Sequence, residues 1–439
     1  MLGVGRLGPC VAAEAAANGP RSVATPPPAR PGALQERDAW AVLAGVEGVG
    51  PVTFGRLVGR YGSAAAALDV AGRSGGIRDL VEATTGPDGG TPTLTVASAL
   101  LVRAAAADPD RHLQPIRRSG VGVLTLADEA YPARLRCIEL PPPVLFVLGD
   151  IAALDRDRSV AVVGTRRPTA VGRATADRIA DAVAARGATI VSGLALGIDG
   201  AAHAAALRAA TPTVAVIGGG HRRLYPSAHR GLATAIVRSG GAVVSEFAPD
   251  TQPSRGTFPR RNRLISGLAD ATVVVEAGAR SGALTTAAWA LEQGRGLYIV
   301  PGRLDDPAVA GSLAFLREAG SEAKVVAGIA ELVEDLGLDG SGVGHPGLGS
   351  VGFASLAATE GAVAAALSRG LATVDELVVA TGLSTAALLG ALTLLEDRGL
   401  VVEIFGRYSL TARLRDPVPG TAGRGPRRDR RADPAGHGR

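Results

Sequence analysis

Only two cysteines, Cys10 and Cys137, occur in 439 residues, which excludes a disulfide framework or a Cys/His zinc site and fits a reducing cytoplasm. Lysine is all but missing, Lys324 being the only one, so nearly every cation is a guanidinium. No uncharged apolar run reaches the ~18 residues of a membrane span, and Glu14 interrupts what would be a signal-peptide core. The chain therefore reads as cytoplasmic, without a membrane span. Catalytic signatures are absent from the strand ends of the central block as well: there is no GxxxxGK[ST] loop, no HExxH and no GxSxG elbow there. In GTRRPTAVG, residues 164–172, Arg166 stands where a dinucleotide fingerprint needs its second glycine. His203, His221 and His229 have no partner at metal-ligand spacing, and His203 reads as a structural residue on a helix. Glu246 and Glu276 end strands as candidate general bases, but no second carboxylate or nucleophile accompanies them. No metal or other cofactor is expected.

What is present is charge sorted along the chain. Residues 1–158 balance 16 basic against 16 acidic side chains, residues 159–304 carry a net +9, residues 305–410 a net −9, and residues 411–439 a net +5. Base composition accounts for arginine over lysine but not for the shortage of acid in the centre. A positive central block points to an anionic polymer or phosphate partner. Six β-branched runs alternate there with alanine-rich helical stretches: VAVVG (160–164), ATIVSG (188–193), TVAVIGGG (213–220), AVVSE (242–246), ATVVVEAG (271–278) and LYIVPG (297–302). This alternation predicts an α/β fold with a mostly parallel, Rossmann-like sheet covered on both faces.

Around that centre the sequence divides further. Residues 1–35 read as a disordered leader and 36–115 as a helical domain. Within it, Gly48, Gly50 and Pro51 form the turn of a helix-hairpin-helix or SAM-like unit, or an ordinary helix-bundle turn. The sheet domain spans 116–335, a glycine-rich linker 336–355, a winged-helix-like module 356–410, and a basic disordered tail 411–439. The third helix of the winged-helix-like module carries no base before Arg398, so DNA would repel it and a protein contact is the better reading.

Arginines gather where strands end. Arg166 and Arg167 follow the first run and Arg222 and Arg223 follow the third; Arg260, Arg261 and Arg263 precede the fifth, Arg280 follows it, and Arg303 follows the sixth. Guanidinium forks hold phosphate oxygens bidentately, and glycine loops add backbone N–H groups to the same oxygens. Nine arginines on several loops suit a polymer better than one nucleotide. In FPRRNRLISGLAD, 258–270, Pro259 is expected at the first helical position, with Leu264, Ile265 and Leu268 on one side and Arg260 and Arg263 on the other. Phe258 and Tyr225 stand beside the basic clusters as stacking platforms for bases, or as core filling.

The succession VAVVGTRRPT, IVSGLALGIDGAAH, SEFAPDTQPSRGTFPRRNRLISGLAD, VVVEAGARSGALTTAAWALEQGR and VPG closely resembles the DNA processing protein A family, also called Smf, over residues 120–325. The resemblance implies an extended Rossmann-like domain that binds single-stranded DNA in natural transformation. It further implies a homodimer that passes the strand to the recombinase RecA without catalysing a reaction. Carried over position by position, the strand-binding residues are Gly164, Arg166, Gly193, Phe258, Arg260, Arg261, Asn262, Arg263, Ser281 and Gly282. The basic strand ends add Arg167, Arg222, Arg223 and Arg280. Two positions depart from the family pattern: His229 replaces an asparagine, and Leu313 another in a segment associated with dimer and recombinase contacts. A competing reading is a phosphoribohydrolase-like enzyme acting on nucleotides, whose PGGxGTxxE pattern finds no acid at the matching end of EAGARSGALTTA.

Overall fold

The computed structural model describes residues 34–338 apart from 87 and 88, and 351–415 apart from 353–355, 370–372, 399, 405, 406 and 411–413. All but the end of the expected leader, most of the expected linker and most of the basic tail lie outside the described residues. Six helices come first: α1 (Glu36–Ala44), α2 (Pro51–Tyr61), α3 (Ala64–Gly72), α4 (Gly76–Ala83), α5 (Val96–Ala107) and α6 (Asp110–Ser119). Gly50 caps α2 and Pro51 opens it, where a missing N–H costs nothing. Across this turn Trp40 packs on Phe54 with ring centroids 4.7 Å apart. Glu36 fastens the bundle by accepting from the Ala64 N–H at 2.6 Å, one of the orphan donors at the start of α3.

A nine-stranded sheet follows, in spatial order β1-β2-β6-β5-β4-β3-β7-β8-β9. Its strands are β1 (Gly122–Thr125), β2 (Val144–Gly149), β3 (Ser159–Val163), β4 (Thr189–Ser192), β5 (Thr213–Val216), β6 (Ala242–Ser245), β7 (Ala271–Val274), β8 (Gly296–Ile299) and β9 (Lys324–Val325). The runs expected as strands are β3 to β8, and neighbours among them pair in parallel. Near-continuous valine suits strands buried on both faces. The sequence reading did not name β1, β2 or β9; β2 runs antiparallel to β6 and β1, so the sheet is mixed at that edge.

The accompanying helices are α7 (Ala133–Arg136), α8 (Ala170–Ala184), α9 (Ile198–Arg208), α10 (Arg230–Arg238), α11 (Thr257–Gly267), α12 (Gly282–Glu292), α13 (Ala310–Ala319) and α14 (Ile329–Asp335). Val160 and Val162 of β3 share one buried cluster with Ile179 and Val183 of α8 and with Ile198 and Ala202 of α9. The small side chains of alanine let α8 and α9 lie close together, while α11 and α12 pack on each other. The alternation along β3 thus places layers of helices over the sheet.

Beyond β10 (Val351–Gly352) lie α15 (Ala358–Ser368), α16 (Val374–Thr381) and α17 (Thr385–Asp397), then the antiparallel pair β11 (Val401–Ile404) and β12 (Arg407–Leu410). Val363, Leu367, Leu377, Leu388, Leu392 and Leu395 form its core, a winged-helix arrangement. β10 pairs in parallel with β13 (Leu414–Arg415), which places two short strands inside segments that the sequence reads as linker and tail. Among the described residues no single helix is long and apolar enough to cross a membrane.

Candidate nucleic-acid interface

Neighbouring strands β3 and β7 send their chains away in opposite directions, toward β4 and β8, which opens a crevice past their carboxyl ends. A cavity of about 630 Å³ occupies it. Its walls are the loop from Gly164 to Arg167 after β3, the first two turns of α11 with Phe258, Arg261 and Asn262, and the loop from Gly278 into α12 with Arg280, Ser281 and Gly282. Helix α11 starts at Thr257, so Pro259 stands third rather than first. Thr257 makes that earlier start by donating its hydroxyl to the Gly218 carbonyl at 2.6 Å. The amino ends of α11 and α12 border this space and bring their positive dipole ends to it.

The arginines divide into two kinds. Arg166, Arg167 and Arg280 are exposed and have no carboxylate partner among the described residues. The Arg166 guanidinium lies 5.2 Å over the Phe258 ring, and exposed Tyr225 meets the same ring edge-on at 5.9 Å. Phe258 therefore belongs to the cavity wall, while Tyr225 stands beside it in solvent and is not core filling. Arg261 and Arg263, by contrast, are buried. Arg261 donates to the carbonyls of Gly193, at 2.6 Å, and Val216. Burial lowers its pKa to about 10 against the pull of Asp199, so it stays charged at neutral pH. Asp199 accepts from the Gly193 and Ala195 N–H groups at 3.1 and 3.3 Å, and burial raises its pKa.

Arg263 is an inner ion pair rather than an outward cation, donating to Glu246 at 2.8 Å. The expectation that Arg263 shares a free face with Arg260 is corrected here: Glu246, 17 residues upstream, draws it inward. Arg260 stays exposed over Phe247, 5.3 Å from the ring centroid. Asn262 is also buried and positions the wall by donating to the Gly282 carbonyl at 3.1 Å. Ser281 caps α12 by accepting from the Ala283 N–H at 3.3 Å. Two glycines are required by contact: a Cβ would stand 2.6 Å from Ile198 Cγ1 at Gly164, and 2.5 Å from Arg261 Nη1 at Gly193. Arg222, Arg223, Arg260 and Arg263 do not line the cavity, and Arg222 pairs at the surface with Asp250.

Both candidate bases have structural work. Glu276 accepts from the Thr169 N–H at 2.9 Å and its hydroxyl at 2.7 Å, while the Thr169 oxygen caps α8 by accepting from Gly172. This clamp sets the loop that carries Arg166 and Arg167. Sequence reasoning did not single out Thr169 or Asp199, although a threonine just ahead of a helical run is a cap signal. His203 is buried against Thr213, His221 bonds the Val243 carbonyl, and His229 donates to the Leu194 carbonyl at 2.9 Å. The described residues contain no cluster fit to hold a metal ion.

Comparison with known proteins agrees with the architecture. The family model for DNA recombination-mediator protein A matches residues 122–337, the DprA winged helix domain matches 354–406, and the DprA-like N-terminal HHH domain matches 35–81. A putative DNA processing protein DprA of Mycobacterium tuberculosis is 40% identical over 312 residues, covering 68% of this chain and 79% of that protein. The DNA processing protein DprA of Bacillus subtilis is 38% identical over 226 residues, 52% of this chain and 75% of the relative. The X-ray structure of DNA processing protein A from Streptococcus pneumoniae superposes with a TM-score of 0.54 at 28% identity, covering 69% of this chain and 98% of that one. With relatives matched at this identity over three quarters or more of their length, the chain belongs to the DNA recombination-mediator protein A family, the DprA/Smf proteins.

Proposed function

We propose that this protein is a non-enzymatic single-stranded DNA binder that protects incoming strands during natural transformation and helps load RecA onto them. The observation that carries the reading is the cavity between β3 and β7, where the unpaired guanidiniums of Arg166, Arg167 and Arg280 surround an aromatic face on Phe258. Phosphates take the guanidiniums and helix amino ends, while unstacked bases take the ring. A duplex hides its base faces, so the arrangement favours the single strand. Family membership supports a DNA-processing role, and the engagement of Glu246 and Glu276 in structural contacts argues against base-catalysed hydrolysis. Action as a homodimer in the cytoplasm completes the reading.

Fluorescence anisotropy with a labelled oligonucleotide and its duplex, at several salt concentrations, tests it. The expected result is preference for the single strand, with log affinity falling by about 0.7 per log unit of salt for each phosphate contact. Equal affinity for the two forms, or none for either, would overturn the reading in favour of a small phosphorylated ligand.

A further inference from the structure

Arg166 lines a second space as well as the first. On its far side a groove of about 800 Å³ runs between α8 and α9. We propose that the bound single strand continues past Arg166 into this groove, which serves as a second nucleotide subsite; the inference rests on the reading of the first cavity as a DNA site. Ala170 and Ala174 of α8 face Ala201 and Ala204 of α9 across it, and their spacings of three and four residues put each pair on one helix face. Such short side chains leave a level apolar floor. Leu196, 45% exposed, extends it at one end.

Charge and an aromatic ring distinguish this groove from a bare apolar seam. Arg173 lines it, is exposed, and has no carboxylate partner among the described residues. Asp177, the acid in its wall, is already held by Arg208 at 2.6 Å, which lowers its repulsion of a phosphate. The His229 ring forms part of the wall and is fixed by its bond to the Leu194 carbonyl. It lies so near Gly200 that a Cβ there would stand 2.7 Å from His229 Cε1. An imidazole fixed in this wall can stack on a base, and Arg166 and Arg173 in the same wall can take the flanking phosphates. A single mononucleotide would need only the first cavity; a groove continuous with it through a shared arginine fits the next stretch of one strand.

Affinity of the full chain for thymidine oligomers of about three to about twelve nucleotides provides the test, comparing the unaltered protein with Arg173→Glu and Ala174→Glu. Both positions are exposed, and circular dichroism checks that the variants fold. The unaltered protein should gain at least about tenfold in affinity with length before reaching a plateau, the scale of one stacked base. Both variants should lose that gain while still binding the shortest oligomers like the unaltered protein. A length profile unchanged by either substitution, or a loss equal at every length, overturns the groove as a separate subsite and leaves the first cavity standing. A changed oligomeric state with an unchanged length profile would assign the groove to a second copy of the chain. No binding of any oligomer by the unaltered protein would instead remove the first reading, and the groove with it.

Discussion

Arg166 and Arg263 carry the same charge in opposite surroundings, and the difference is measurable. Arg166 and Arg280 stand in solvent at the cavity, so replacing either with alanine should reduce the salt slope of single-strand binding by about 0.7 while leaving the thermal midpoint nearly unchanged. Arg263→Ala strips a buried carboxylate of its partner. Glu246 is 4% exposed and would keep only the exposed Arg260, 3.9 Å away, so the loss should approach that of a broken buried pair, about 3–5 kcal/mol, which thermal denaturation would register as a large drop in midpoint. If Arg263→Ala instead kept its midpoint and lost the salt slope, it would rank with the outward cations. The sequence shows that arginines crowd together but hides which way each one turns. Arg261 finds its carbonyl acceptors 68 and 45 residues away, and no local pattern announces either bond.

At the scale of elements, the loop bearing Arg166 and Arg167 is held by the end of one strand and the start of one helix. Thr169 satisfies an orphan donor of α8 and is itself gripped by Glu276 beyond β7. Thr169→Val keeps the shape but removes the hydroxyl, losing the cap and one of the carboxylate's donors. About 1–2 kcal/mol of stability should go with it, read from the denaturant midpoint, together with a several-fold weaker single-strand affinity at constant salt slope. Unaltered affinity in a destabilised variant would show that the loop holds its form without the clamp. The six central strands were legible because valine runs buried on both faces need no partner to be recognised. Strand β2 was not, because its place depends on antiparallel pairing with β6, about a hundred residues on, and β9 is only a two-residue strand.

The fold as a whole answers to pH through a group far from the arginine edge. His203 lies in the core with its Nδ1 against the Thr213 hydroxyl, 2.8 Å away, and that hydroxyl donates onward to the Ile190 carbonyl. Burial lowers the His203 pKa to about 3 from its usual 6.5. The unfolded chain therefore takes up the proton first as pH falls below about 6.5, and between there and about 3 the unfolded state binds more protons than the folded one. Stability is fully present above that window and declines as pH drops through it. Between pH 7.5 and 5 the loss from this one group is about 2 kcal/mol. His203→Asn keeps a donor toward Thr213 but does not titrate there, so its thermal midpoint should fall less than the unaltered protein's over the same interval. Carboxylates such as Asp199 titrate in both proteins and cancel in the comparison. Parallel declines in the two would mean that His203 is not what makes the sheet sensitive to acid.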